Sequence, residues 1–517
     1  MSPFAAATLV FSTSAIVLVL EVLAGRLLAP YVGVTLETFT GIIGTVLAGI
    51  SLGAWAGGRA ADRVDPRHLL GPLLVAGGVL TFLTVPIVDF LGAGVGSGQP
   101  DAIVLLAFSG FFAPAAVLSA VSPTVVKLVL TDLTQTGAVV GRLSAIGTAG
   151  AIFGTFATGF VLIRAVPTRP TFRIVAMVLV VGGLVLWAWL RRAADGAGAA
   201  DEGHRSGPVI GVGVIVAIGL AALLSLASRG PCQFESPYFC ARVVADPEHP
   251  SGRVLVLDTL RHSYVDLDDP IHLEFTYAQT MSDVLATVAP AGQAIDVLHV
   301  GGGGMSLPRY LRADRPGSTS TVLELDRLLV DIARDELGFV PGDDIVVRTG
   351  DARLTLAAEP EGAYDLVIGD AFGGVSVPWH LTTREFGAQI RARLRPGGVY
   401  ALNMIDYGNL DFGRAHAATL ADVFAHVAVL APPQRLRAEV GGNLILVASD
   451  SPLDVAAMLA RNAARDDDEA AVTTEGPFRP GGGPGQASLP NWADWLGGAQ
   501  ILTDDHAPVD QLITTRG

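Results

Sequence analysis

The chain has 517 residues, half of them hydrophobic and only 16% charged, with a formal net charge of −15. That length exceeds one ordinary domain, and the charge is uneven: residues 1–228 carry 12 Lys and Arg against 10 Asp and Glu, whereas residues 229–517 carry 22 against 39. The acidic second part argues against a nucleic-acid partner, which needs a basic footprint, and with Lys127 the only lysine it has neither a Schiff-base lysine nor a phosphate-loop lysine.

Seven stretches are long and apolar enough to span a bilayer, at roughly 6–29, 36–58, 69–93, 102–124, 140–164, 171–190 and 208–228. The lipid bilayer is therefore an expected partner, and the protein reads as a multi-pass cell-membrane protein. Gly49, Gly53 and Gly57, and then Gly150 and Gly154, recur four residues apart. Such spacing puts small residues on one helix face and allows close packing in lipid. Glu21 sits near the end of the first span, with Arg26 beyond it.

Orientation follows from loop charge. Arg59, Arg63 and Arg67, and later Arg191, Arg192 and Arg205, mark cytoplasmic loops, and the loop at 94–101 bears only Asp101. With seven spans this puts the N-terminus inside and the C-terminal domain outside. Arg164, Arg169 and Arg173 oppose that orientation, and one span more or fewer reverses it. The only cysteines, Cys232 and Cys240, follow the last apolar run; they read either as a disulfide in an oxidising compartment or as two free thiols. No Cys/His cluster completes a metal site.

The segment 192–207 reads as a linker, and the texture from 229 onward is that of a second domain. Arg253–Leu257 and Tyr264–Val265 read as a small leading β region, and 272–288 has helical spacing. Strands are expected at 295–300, 320–325, 344–348, 364–369, 398–403 and 443–448, alternating with helices. That alternation predicts a parallel, doubly wound α/β sheet. The Gly/Pro-rich stretch 470–490 reads as a flexible loop.

The chemistry-bearing residues lie where these strands end. Gly301, Gly302, Gly303 and Gly304 follow the first strand, Glu324 ends the second, Asp351 and Ala352 follow the third, and Asp370 follows the fourth. A glycine turn followed by a carboxylate about twenty residues on is the pattern of a nucleotide-binding βαβ unit. Glycines let backbone approach a ligand, and the carboxylate accepts ribose hydroxyls.

With these residues in place, the stretch 235–450 resembles the spermidine synthase family, the polyamine aminopropyltransferases. The matching pieces are Ser236–Tyr238, Val254–Asp258, Glu274–Tyr277, Val297–Gly304, Leu323–Asp326, Gly350–Ala352, Tyr364–Asp370 and Leu381–Phe386. The whole chain, with Glu21–Arg26 and Asp504–Pro508, resembles the membrane-fused bacterial branch. The resemblance implies a multi-pass helical membrane domain (1–228), followed by a Rossmann-like, methyltransferase-type domain (229–517). It implies decarboxylated S-adenosylmethionine or S-adenosylmethionine as donor and a small amine as acceptor. Glu324 would hold the ribose, Asp351 with Ala352 the adenine edge, and Gly301–Gly304 would pass the donor's tail. Asp370 would accept the proton of the attacking amine. Family members often form homo-oligomers.

Four departures bear on the amine half. Gly304 stands where the family carries Asp, and Gly373 where it carries a second acid. His262 replaces a glutamine, and Tyr277-Ala278-Gln279 replaces Tyr-His-Glu. His262, Tyr264, Tyr277, Trp379 and His380 are candidates for an altered acceptor pocket or for plain packing. Three functions are therefore expected in rank order: aminopropyl transfer, methyl transfer on the same sheet, and non-catalytic sensing or transport.

Overall fold

The computed structural model describes residues 1–95, 100–130, 132–195, 208–374, 376–465, 467–478 and 489–513. The chain forms two compact units: Met1–Arg242 with Leu257–Thr259, and Val243–Val256 with Leu260–Gly517.

The first unit is helical. Among the described residues six helices are long and apolar enough to cross a membrane: α1 (Pro3–Val32), α2 (Leu36–Arg63), α3 (Pro66–Gly92), α4 (Pro100–Val129), α5 (Leu133–Ala165) and α6, whose apolar part is Thr168–Arg192. The seventh expected segment is also a helix, α7 (Pro208–Ala227), with a shorter apolar stretch, Val212–Ala227. The glycine spacing does what the sequence predicts. Methyls at Gly150 or Gly154 would run into the α1 backbone at Phe11 and Ala15, and at Gly53 or Gly57 into the α4 backbone at Ala116 and Ala120. Of the expected linker, α6 takes up residues through Asp195; 196–207 lie outside the described residues.

Side-chain contacts tell the two ends of this bundle apart. Tyr31, at the end of α1, donates to Asp89 near the end of α3 at 2.8 Å. Arg169, at the start of α6, pairs with the same carboxylate, and so does Ser228, just after α7. At the other end Lys127 of α4 meets Asp62 of α2 at 2.8 Å. Helices α1, α3 and α7 thus finish at the Asp89 end, α6 starts there, and α2 and α4 finish at the Lys127 end. At about 1.5 Å per residue, the 20 residues of α7 cover about 30 Å. The unit closes at the Asp89 end with a short antiparallel pair, β1 (Phe234–Glu235) and the start of β2 (Cys240–Ala245), and with a Cys232–Cys240 disulfide.

The second unit opens with the hairpin β3 (Gly252–Leu257) and β4 (Leu260–Asp266), then α8 (Thr276–Val288). Alternation follows: β5 (Asp296–Val300), α9 (Ser306–Asp314), β6 (Thr319–Glu324), α10 (Arg327–Glu336), β7 (Ile345–Thr349), α11 (Ala352–Leu356), β8 (Tyr364–Gly369), α12 (Arg384–Arg393) and β9 (Leu394–Asp406). Then come α13 (Asp411–Ala421), β10 (His426–Ala431), β11 (Gly442–Ser449), α14 (Val455–Ala463), β12 (Ala470–Thr473) and β13 (Gly476–Phe478). The sheet order is β13-β12-β10-β11-β9-β8-β5-β6-β7.

From β7 to β9 every pairing is parallel; from β9 outward every pairing is antiparallel. The expected parallel sheet is therefore corrected to a mixed one, and the start of the expected loop at 470–490 to two strands, β12 and the outermost β13, with 479–488 outside the described residues. The reason is that β10 and β12 are short apolar runs whose direction is fixed only when they pair with their neighbours. Both faces of the parallel strands are covered. Leu298, Val300 and Val367 face one buried cluster, and Val297, Leu366 and Ile368 the other, which is why these strands read as unbroken apolar runs.

Candidate active site

The carboxyl ends of β5, β6, β7 and β8 bring the predicted residues to one edge of the sheet, where ligands of such sheets bind. The glycine turn leaves β5 with Gly301 at φ +98° and Gly303 at φ +45°. A Cβ on Gly301 would lie 2.5 Å from the carbonyl oxygen of Asp370, so only glycine lets the β5 and β8 ends come this close. A Cβ on Gly303 would lie 2.8 Å from Ser263 Oγ and 3.2 Å from His262 Nδ1. The same Ser263 hydroxyl accepts the Gly304 N–H at 3.0 Å. Hairpin β3–β4 thus rests on the glycine turn through His262 and Ser263.

Glu324 is almost fully buried and faces the turn. Its Oε2 accepts the N–H groups of Gly302 (2.9 Å) and Gly303 (3.1 Å), and its Oε1 that of Asp326 (2.9 Å). Burial raises its carboxyl above the usual range, and these backbone bonds work against that rise. A carboxylate offers about four acceptor positions, and three are taken. Glu324 can hold both ribose hydroxyls only by releasing a glycine amide.

Asp351 caps α11 by accepting from Arg353 N–H at 3.0 Å and Leu354 N–H at 3.2 Å. Its second oxygen lies 3.0 Å from His380 Nε2. Ala352 opens the helix behind it. Arg353 is held in turn by Asp504 at 2.7 and 2.5 Å, which gives the Asp504–Pro508 motif a role: it pins α11, and with it Asp351, to the C-terminal segment. Trp379 is half exposed and stands edge-on to His380 at 5.7 Å.

Asp370 ends β8. Its Oδ1 accepts from Asn403 Nδ2 at 3.0 Å, and the Tyr277 hydroxyl acts on the same carboxylate as a donor that holds its pKa down. Desolvation pushes Asp370 up to about 6, against the pull of these two donors. Tyr277 is driven well above its ordinary value, first by burial and then by the Asp370 charge. Its hydroxyl also lies 3.5 Å from the His262 carbonyl. Burial lowers the His262 imidazole to about 4, so the ring is neutral at physiological pH. Asp370, Tyr277, His262, the glycine turn and Glu324 form one connected constellation. Tyr264 is engaged elsewhere: it donates to Asp246 at 3.0 Å and packs with Val254 and Val256.

Asn403, Asn443 and Ser263 escape a reading of the sequence. Asn443 donates to Asn403 Oδ1 at 2.9 Å, which fixes the Asn403 amide with its donor side toward Asp370. The only signal in the sequence is a buried polar residue inside the apolar run of β9. Among the described residues no group of acidic, His or Cys side chains could hold a metal ion.

No protein-family model matches the chain. It is 33% identical over 144 residues to a probable polyamine aminopropyl transferase of Bifidobacterium longum, covering 28% of this chain and 32% of that one. It is 29% identical over 225 residues to a polyamine aminopropyltransferase of Vibrio vulnificus, covering 42% and 69%. The match thus spans about a third of the first relative's length. A crystal structure of a probable spermidine synthase from Corynebacterium glutamicum aligns with a TM-score of 0.46 and 26% identity, over 52% of this chain and 95% of that one.

Proposed function

From the premise that the chain belongs to the spermidine synthase, or polyamine aminopropyltransferase, family, we propose that it transfers an aminopropyl group from decarboxylated S-adenosylmethionine to an aliphatic amine. The observation that carries this reading is Asp370 at the β8 end, partly buried beside the glycine turn, with its Oδ1 held by Asn403. The reaction needs an unprotonated amine in line with the carbon next to the sulfonium. A carboxylate near 6 is ionised at neutral pH, attracts the cationic amine, and accepts its proton as the C–N bond forms and the C–S bond breaks. Glu324 would exchange a glycine amide for the donor's ribose, and Asp351, oriented by α11, would face the adenine.

A second reading, methyl transfer from S-adenosylmethionine, is favoured by Gly304 and Gly373. They leave the amine half with fewer carboxylates, while the nucleoside residues Glu324 and Asp351 are kept. Mass spectrometry of the nucleoside product separates the two. Methylthioadenosine with a heavier amine supports aminopropyl transfer, S-adenosylhomocysteine supports methyl transfer, and neither product from bound donor rejects both.

The protein is proposed to lie in the cell membrane with its second unit on the extracytoplasmic side. Arg59, Arg63 and Arg67 flank the turn at the Lys127 end of the bundle, and basic loops stay in the cytoplasm. The chain leaves the bundle at the opposite end, beside a disulfide, which suits an oxidising compartment. Two of the three arginines that oppose this orientation are neutralised or bound: Arg169 pairs with Asp89, and Arg173 donates to the Ser225 carbonyl at 2.7 Å. Alkaline phosphatase fused to the C-terminus should be active in cells; an inactive fusion, with an active cytoplasmic reporter, would reverse the assignment.

A further inference from the structure

A cavity of about 280 Å³ opens at the Asp89 end of the helical unit, and every residue lining it belongs to that unit. Its walls are partly apolar, with Val22, Phe39 and Ile163. Its polar lining includes Arg26, Arg169, Glu235 and Asp258.

The state of these four charges decides what the cavity can take. Arg26 is engaged by Glu235 at 3.5 Å and by the carbonyls of Ser236 and Pro237. Arg169 is engaged by Asp89 and by the Ser228 carbonyl at 3.4 Å. Both guanidiniums are thus turned to protein acceptors. The carboxylates are each half used. Glu235 Oε1 takes Arg26 together with the N–H (3.0 Å) and hydroxyl of Thr168. Asp258 Oδ1 takes the Cys240 N–H at 3.0 Å. Among the described residues, Glu235 Oε2 and Asp258 Oδ2 have no hydrogen-bond partner. The uncommitted valence of the cavity is therefore anionic and accepting, and it sits against hydrocarbon.

We propose that this cavity binds an aliphatic ammonium ion, the –NH₃⁺ group against Asp258 and Glu235 and the methylenes along Val22, Phe39 and Ile163. An ammonium carries three donors and no acceptor, which matches two half-used carboxylates. An anion would meet those same oxygens with repulsion. The group could be supplied by a free alkylamine or by an ethanolamine lipid headgroup. The site is distinct from Asp370 and the glycine turn, which belong to the other unit, and it stands whether or not the chain transfers aminopropyl groups.

The test uses full-length protein in a neutral maltoside detergent, with 1,8-diaminooctane as the calorimetric probe. Asp258→Asn keeps an oxygen for the Cys240 N–H but removes the charge, and should weaken binding about tenfold or more. Val22→Trp fills the apolar wall without touching a charge and should abolish the same binding. Both variants are read in an Asp370→Asn background, which removes the amine-attracting carboxylate of the other unit, so that the diamine binding they lose is binding at this cavity. If phosphatidylethanolamine displaces the diamine, and native mass spectrometry finds that lipid on wild type but not on Asp258→Asn, the headgroup is the ligand. If it does not displace the diamine, the free amine is. No diamine binding and no retained phosphatidylethanolamine, or binding unchanged in both Asp258→Asn and Val22→Trp, overturns the proposal.

Discussion

Replacing Asp370 with Asn separates the chemistry of this residue from its cost to the fold. Burial holds the carboxyl at about 6 in the folded protein, against an ordinary value of 3.8. A folded-state value above the unfolded one means that its stability contribution is fully present below about pH 4 and is lost as pH rises through about 6. The shift is about two pH units, and one unit corresponds to about 1.4 kcal/mol. The ionised carboxylate should therefore destabilise the folded chain by up to about 3 kcal/mol at pH 8. Asn keeps an oxygen for the Asn403 amide and carries no charge. Asp370→Asn should therefore melt a few degrees above wild type at pH 8, with the gap closing toward pH 4. The proposed aminopropyl transfer should fall about 10²- to 10⁴-fold, as expected for loss of a general base. Paired thermal melts from pH 4 to 8 and product assays on the same preparations check both halves. Turnover at the wild-type rate would remove Asp370 as the base. A variant less stable than wild type at pH 8 would refute the argument from desolvation.

Other residues give independent checks. Wild-type kcat/KM should rise with pH along a limb centred near 6, and this limb should disappear in Asp370→Asn; a limb unchanged by the substitution would assign it to another group. Glu324→Gln puts an amide donor opposite backbone N–H groups that now meet a carboxylate. Losing charge-assisted bonds of this kind costs about 1.5–3 kcal/mol, so affinity for methylthioadenosine should drop about tenfold or more by calorimetry. Gly301→Ala forces φ +98° on a residue with a Cβ and sets that carbon 2.5 Å from the Asp370 carbonyl, whereas a Cβ at Gly373 meets nothing closer than Pro378 at 3.7 Å. The first should impair folding and donor binding together, and Gly373→Ala should leave stability within about 0.5 kcal/mol; equal effects would contradict the close approach of β5 and β8. Peptide mapping of unreduced protein should recover Cys232 linked to Cys240, and Cys240→Ser should lower stability by about 2–4 kcal/mol.

The long apolar helices and the strand-end residues were legible in the sequence because each depends on a local pattern. Long apolar runs, glycines four apart, and a carboxylate or glycine turn at the end of an apolar run carry their meaning within a few residues. Glu324, Asp351 and Asp370 accordingly stand at the strand ends their spacing predicts. The tertiary structure decided what depends on partners far along the chain. Asn403 and Asn443, forty residues apart, become one hydrogen-bonded support for Asp370 only when β9 and β11 pair. Ser263 reaches Gly304 across 41 residues, and Arg353 reaches Asp504 across 151. The antiparallel half of the sheet was hidden because short apolar strands show no direction until a neighbour fixes it. The two cysteines read equally well as thiols or as a disulfide until folding set their Cα atoms 5.1 Å apart. Periodicity writes an element's identity into its own residues; polar pairing, strand direction and cross-links belong to residues that meet only after the chain has folded.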